Sequence, residues 1–401
     1  MTTTAGSDAA TSYDHVAISA LASPFAEIAE IRQACPVAHT ASHGGYWVLF
    51  RHDDVVAAAK DAATFCSAKG VTIPSHAFPI ELPPLECDAP RHLQFRRPFT
   101  ASFSPNAIRT MEPVIREAVR GLIAPVIERG SADLAQELTM RLPALAICAL
   151  LNIPAADRES FTEWTVRLIR NPEDFEAAGA ALMYFATVRA DRIAHPQDDI
   201  PTMMLDIEID GEPISEQDYL VLINVLVMAG LDTTANAAAN MLEVLALNPE
   251  ARAQLAADPA LIRASMEELL RFVTPLPGLA RTTTTDVVVG DARIPAGERV
   301  FLNFMAANHD PDTFSDPDVL DLSRHNVSHV AFGSGPHRCL GAHLARLELV
   351  VLLEELLRVM PDYTIDTAGV ERFGGITRGI ATLPATFAAR PRSELWPEGA
   401  A

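Results

Sequence analysis

The sequence predicts a mainly α fold with small β-sheets, built as a single large domain. Three observations point there. Hydrophobic residues make up 49% of the 401 residues but aromatics only 6%. The core must therefore be assembled from Ala, Leu, Val and Ile, a bias that favours helices over sheets. Long stretches repeat apolar residues at helical spacing, above all residues 216–247 and 340–359. No internal repeat or low-complexity linker interrupts the chain, so residues 14–401 are expected to fold together behind a disordered Thr/Ala/Ser-rich tail, 1–13.

Taken in order, residues 24–35 form an amphipathic helix, 45–50 alternate like a strand, and 53–60 restart a helix. Gly, Pro and aliphatic residues break the pattern over 67–86, which reads as a long irregular loop of the kind that often carries function. Residues 90–154 are helical with breaks at Pro105, Gly130 and Pro143, and 159–193 hold two helices separated near Asn171. A long apolar helix follows over 216–247, with Gly230 in its middle, then another over 259–272. Strands are expected at 287–295 and 298–303, a Pro/Asp-rich meander at 310–326, and short strands after the helix that begins near Cys339.

A net charge of −21 argues against a nucleic-acid partner, whose phosphates would be repelled. Five cysteines without a CxxC make a disulfide framework improbable and fit the reducing cytoplasm. The N-terminus lacks the basic and apolar regions of a signal peptide, and the apolar run 219–231 is too short to span a bilayer, so no membrane is expected.

The chemistry centres on residues 332–341, Phe-Gly-Ser-Gly-Pro-His-Arg-Cys-Leu-Gly. The glycines free the backbone for a close, looped approach to something flat. Cys339 sits where a helix begins, and unpaired N–H groups favour an anion there. No second Cys or His stands at zinc-finger spacing, so a lone thiolate in a glycine loop suits one axial bond to a haem iron.

Phe332, Gly333, Gly335, His337, Cys339 and Gly341 match the haem loop of the cytochromes P450, and the chain resembles that family over about 24–391. The resemblance implies the cytochrome P450 fold, with haem b (iron protoporphyrin IX) between the long central helix and the cysteine-bearing helix. Cys339 would be the metal ligand, with Phe332, Gly333 and Gly341 around it. Ala229-Gly-Leu-Asp-Thr-Thr234 resembles the family's oxygen-side motif: Ala229 and Gly230 leave room beside the iron, while Asp232 and Thr233 guide protons. Thr233 can back-bond to a carbonyl and bend the helix locally. Glu268 and Arg271, three apart on a helix, resemble the family's structural ExxR pair. Val319 and Leu320 stand where many relatives carry Arg-Phe, and Arg324 is the candidate stand-in for the missing arginine.

His92, Arg96, Arg281 and His337 occupy the positions where the family holds haem propionates, which need paired donors when buried. Arg91, Arg97, Arg338 and Arg346 are expected on a face that docks an acidic electron carrier. The substrate pocket is expected along Val71, Thr72, Ile80, Leu82, Val227, Met228, Leu276, Leu279, Ile376 and Thr377, with His76 as a further polar group. So aliphatic a wall suits a compact apolar skeleton. The implied activity is a monooxygenase that takes one atom of O2 into a C–H bond of a small terpenoid, alicyclic or aromatic substrate. No flavin or ferredoxin domain is recognisable, so electrons are expected from a [2Fe–2S] ferredoxin and its NAD(P)H-dependent reductase. A peroxide-driven peroxygenase and a non-catalytic haem sensor are the alternatives, and the Asp232–Thr233 pair disfavours both.

Overall fold

The computed structural model describes residues 11–75, 80–171, 173–325 and 327–396. Its contacts gather into two compact units, one of residues 1–92, 267–340 and 372–379, the other of 93–266, 341–371 and 380–401.

The first unit is built on a five-stranded mixed sheet in the order Val37–Thr40, Tyr46–Leu49, Arg299–Asn303, Gly278–Thr283, Phe65–Cys66. The Tyr46–Leu49 and Arg299–Asn303 strands run parallel, and the other neighbours are antiparallel. The two-residue alternation sends Tyr46, Val48, Ala280 and Phe301 to one core and Leu49, Val300 and Leu302 to another, so both faces are dry. The strand at Gly278–Thr283 was not anticipated, because its Gly-Leu-Ala-Arg-Thr-Thr sequence lacks a clear apolar alternation. Its register is nonetheless exacting: a Cβ on Gly278 would overlap the Leu302 carbonyl and the Phe301 ring. The strand expected at 287–295 is a hairpin, Val287–Val289 with Ala292–Ile294, turning at Gly290 in the left-handed region (φ +57°).

The boundary of the tail also shifts. Tyr13, placed at its end by composition, is fully buried, and its hydroxyl accepts a 2.7 Å bond from Asn303 Nδ2. Residues 1–10, like His76, lie outside the described residues.

The second unit is helical. Its principal helices are Glu112–Ile127, Leu142–Leu150, Arg158–Arg170, Phe175–Ala194, Glu216–Leu247 and Ala342–Val359. Ile115, Val119, Ile123 and Ile127 form the buried stripe of the first, at the i, i+4 spacing that a single face requires. Gly130 follows that helix with φ +72°, and Pro105 and Pro143 each lie in a helix's first turn rather than breaking one.

The Glu216–Leu247 helix begins at Ser215, whose hydroxyl accepts from Asp218 N (3.0 Å). By length and composition it is apolar enough to cross a membrane. Its buried Asn236, Asn240 and Glu243 mark it instead as a core helix. A small sheet joins Ser131–Asp133, Pro384–Thr386 and Thr364–Ile365.

Candidate active site

In the first unit, the loop ahead of the Ala342–Val359 helix is shaped by two left-handed glycines, Gly333 (φ +68°) and Gly335 (φ +70°). At Gly335 there is no room for any side chain, since a Cβ would overlap the carbonyl of Ala59 at the end of the His52–Lys60 helix. Gly333 N donates to Val330 O (2.8 Å), and Cys339 N donates back to Phe332 O (2.8 Å), which closes the loop. Gly341 caps the helix, so Cys339 stands three residues before the first helical position, Ala342.

Its side chain is exposed, while the other four cysteines are half-buried or buried. Burial pushes the thiols of Cys87 and Cys148 up to about 12 and raises that of Cys66, so none of these offers a ready thiolate at neutral pH.

His92 is buried, and its ring lies against that of His337, centroids 4.3 Å apart. Ser67 Oγ stands 3.2 Å from His337 Nε2, and Ser67 N and Ala68 N both donate to Asp88, at 2.9 and 3.1 Å. Arg281 is 4% exposed and donates to the Ala280 carbonyl (2.7 Å). Burial lowers its pKa to about 10, against the opposing pull of Asp88. Among the described residues it forms no ion pair. A buried guanidinium without a carboxylate is costly, and a bound anion would offset that cost. Arg281 with two touching histidines therefore fits the carboxylates of a haem, and the exposed thiol fits its iron.

Behind the loop, Glu268 and Arg271 are both fully buried and form a forked pair, Nε–Oε2 2.7 Å and Nη2–Oε1 2.8 Å. Arg271 Nη1 also donates to the carbonyls of Asn308 (2.7 Å) and Pro317 (2.8 Å), pinning the meander. Arg324 brings Nε to 3.0 Å from Glu268 Oε2, an ion pair rather than a straight hydrogen bond. The stand-in suggested by the sequence thus takes the third place in the network.

In the second unit, the long helix runs unbroken through Ala229, Gly230, Asp232 and Thr233. Thr233 Oγ1 donates to Ala229 O (2.9 Å), the back-bond expected of it. Gly230 serves helix packing as well, since a Cβ would lie 3.3 Å from Ile147 Cδ1. Asn236 Nδ2 donates to Asp232 Oδ1 (2.6 Å), while Asn236 Oδ1 accepts from Ile380 N (3.3 Å). Asn236 thereby ties the acid's rotamer to the terminal segment.

The remaining expectations divide. Arg96 is half-buried at the end of the Arg91–Arg96 helix, four residues from His92. Arg97 and Arg338 are exposed, and Arg346 donates to its own helix at Ala342 O (3.2 Å). Arg91 is bonded to Glu81, which neutralises it as part of an open basic face.

Among the expected pocket residues, Val71, Val227 and Thr377 are buried, and Thr72, Leu82 and Met228 half-buried. Ile80 and Ile376 are exposed, at 38% and 58%. Leu276 and Leu279 pack onto the sheet core around Leu302 and Phe304. The irregular loop is held by two charged groups that no local sequence pattern marks: Glu86 accepts from Val71 N and Leu82 N, and Arg299 donates to the carbonyls of Lys69 and Thr72. Two cavities in the second unit, about 580 and 320 Å³, are lined by none of the expected pocket residues.

Comparison with known proteins agrees with this geometry. The Cytochrome P450 family model matches residues 177–360. Cytochrome P450 130 of Mycobacterium tuberculosis is 33% identical, over 82% of this chain and 85% of its own. A vitamin D(3) 25-hydroxylase of Pseudonocardia autotrophica is 32% identical, over 92% and 94%. Among solved structures, a P450 EryK mutant in complex with erythromycin B superposes with a TM-score of 0.82 at 32% identity, covering 92% of this chain and 97% of that one. With the thiolate loop, the buried Glu–Arg pair and these relatives together, the chain belongs to the cytochrome P450 family of haem b–thiolate monooxygenases.

Proposed function

We propose that this P450 inserts one atom of O2 into a C–H bond of a small apolar substrate, a terpenoid or another alicyclic or aromatic compound. Electrons come from a [2Fe–2S] ferredoxin and its NAD(P)H-dependent reductase, in the cytoplasm. The observation that carries the oxygen-dependent reading is the Asp232–Asn236 bond of 2.6 Å beside the back-bonded Thr233. A peroxygenase or a sensor has no use for an oriented acid next to a hydroxyl.

Bound haem b supplies the oxygen-activating redox chemistry. The chain's own residues do the rest. Cys339 Sγ would ligate the iron as a thiolate, and His92, Arg96, Arg281 and His337 would hold the propionates. Asp232, its rotamer set by the bond from Asn236 to Oδ1, is the acid that takes up and releases a proton. Thr233 Oγ1 donates to the Ala229 carbonyl while its lone pairs stay available, so it passes a proton on by accepting one and rotating. Aliphatic groups such as Val71 and Val227 keep water away and bind substrate by burial.

The relatives named for vitamin D(3) and erythromycin B support an organic substrate. The exposed Arg97 and Arg338 support an acidic electron donor. Among the described residues no cysteine forms a disulfide, which supports a reducing compartment.

The test is turnover of the haem-loaded protein with ferredoxin, reductase and NADPH, on apolar compounds selected by the spectral shift they cause. Thr233→Ala should retain binding but release several times more peroxide per product. Unchanged coupling would place the relay elsewhere, and equal turnover with peroxide alone would favour the peroxygenase.

A further inference from the structure

The N-terminal segment of the first unit carries a second constellation that oxygen chemistry does not use. Asp14 caps the short His15–Ser19 helix, its Oδ1 accepting from Val16 N (2.9 Å) and Ala17 N (3.3 Å). His43, in the turn before the Tyr46–Leu49 strand, brings Nε2 to 3.0 Å from the same oxygen. His15 is 3% exposed, with Nδ1 at 2.9 Å from Tyr46 Oη. One ligand-competent atom from each of Asp14, His15 and His43 lies within 4.8 Å of the others.

The arrangement is held from both sides. His43 (φ +50°), Gly44 (φ +87°) and Gly45 (φ +95°) are successive left-handed residues that turn the imidazole toward Asp14. Thr40 Oγ1 donates to Tyr13 O (2.7 Å) and Ala41 N to Thr11 O (3.1 Å), strapping the N-terminal segment to that turn. An Asp–His ion pair would need only one imidazole. Here a second, buried one is brought in, with its Nδ1 held by the Tyr46 hydroxyl.

We propose that Asp14, His15 and His43 form a binding site for a zinc-class divalent cation that fastens the N-terminal segment to the 42–45 turn. Two imidazoles and a carboxylate are a borderline-soft donor set, and water on the exposed side of His43 completes a tetrahedron. Bond lengths of about 2.0–2.1 Å put tetrahedral ligands roughly 3.3 Å apart, so the widest-spaced of these atoms close in by up to about 1.5 Å. On binding, the proton between His43 Nε2 and Asp14 moves to Nδ1 or, from the imidazolium, to solvent. The Tyr46 hydroxyl turns from His15 to Tyr13 O, 3.5 Å away.

The test uses the haem-loaded full chain, freed of metal by chelator and titrated with zinc chloride by calorimetry, with melting temperature as a second readout. One saturable zinc per chain and a raised melting temperature are expected. His43→Ala and Asp14→Asn should each weaken binding at least tenfold and abolish the thermal shift. His195→Ala, at an exposed histidine paired with Asp191, should change neither. Should the wild type take up no saturable zinc, or His43→Ala bind it as tightly, the site does not exist.

Discussion

Replacing Glu268 by glutamine keeps the shape of the side chain and removes the charge on which two arginines depend. Glu268 and Arg271 are fully buried, and the Arg324 side chain is 12% exposed. With an amide in its place, Arg271 keeps one neutral acceptor oxygen at position 268 and the carbonyls of Asn308 and Pro317, but loses the second oxygen of the fork and its counter-charge. Breaking a buried pair from one side costs about 3–5 kcal/mol, chiefly because the partner charge stays behind. Arg324→Ala is milder. Glu268 then keeps its fork to Arg271 and the Asp321 N–H at 3.2 Å, so the loss is about 1–2 kcal/mol. The exposed Arg293–Asp286 pair is the control, with Arg293→Ala costing no more than ~0.5 kcal/mol. Denaturant midpoints followed by far-UV circular dichroism, with haem retention measured beside them, should rank the variants in that order. The double variant Glu268→Gln/Arg324→Ala should cost at least ~1 kcal/mol less than the sum of the singles. If Arg324→Ala behaves like Arg293→Ala and adds independently, Arg324 is no member of the network.

Gly335→Ala should sharply reduce haem incorporation, because the methyl group meets the Ala59 carbonyl, whereas Gly333→Ala, with nothing closer than 3.9 Å, should cost only about 1 kcal/mol of left-handed strain; equal haem occupancy in the two variants would contradict the seating of the loop. Glu355 gives a pH dependence. Burial alone would raise its pKa from 4.5, but hydrogen bonds from Arg120, Arg116 and Arg358 hold it at about 2. Its contribution, on the order of 1–3 kcal/mol after allowance for the partly exposed arginines, is complete above pH 4.5 and is lost as pH falls toward 2. Glu355→Gln should therefore flatten the stability profile between pH 5 and 3, and an unaltered slope there would refute this.

What was legible in the chain was what is local. The loop from Phe332 to Gly341 declares itself because its glycines and cysteine act at fixed short spacing, and Glu268–Arg271 or Thr233–Ala229 are neighbours on a helix turn. Long-range partners were mostly opaque. Ser67 meets His337 across 270 residues, and nothing in its vicinity marks it. Arg324 could be offered only as a candidate, because its approach to Glu268 depends on the path of the meander. The apolar wall was the least legible part: Ile80 and Ile376 are exposed, and hydrophobicity alone does not distinguish a ligand-facing side chain from an exposed one. For Asn236 a helix-interior asparagine reads as structural, but its partner Ile380, far along the chain, appears only in the structure.

The most direct measurement is the reduced, CO-bound absorption spectrum of the Cys339→Ala protein beside the wild type. The wild type should show the band of a thiolate-ligated haem, and the variant should lose it while far-UV circular dichroism still reports a folded helical protein. A variant that keeps that band would place the sulfur ligand on another cysteine and contradict the account at its centre.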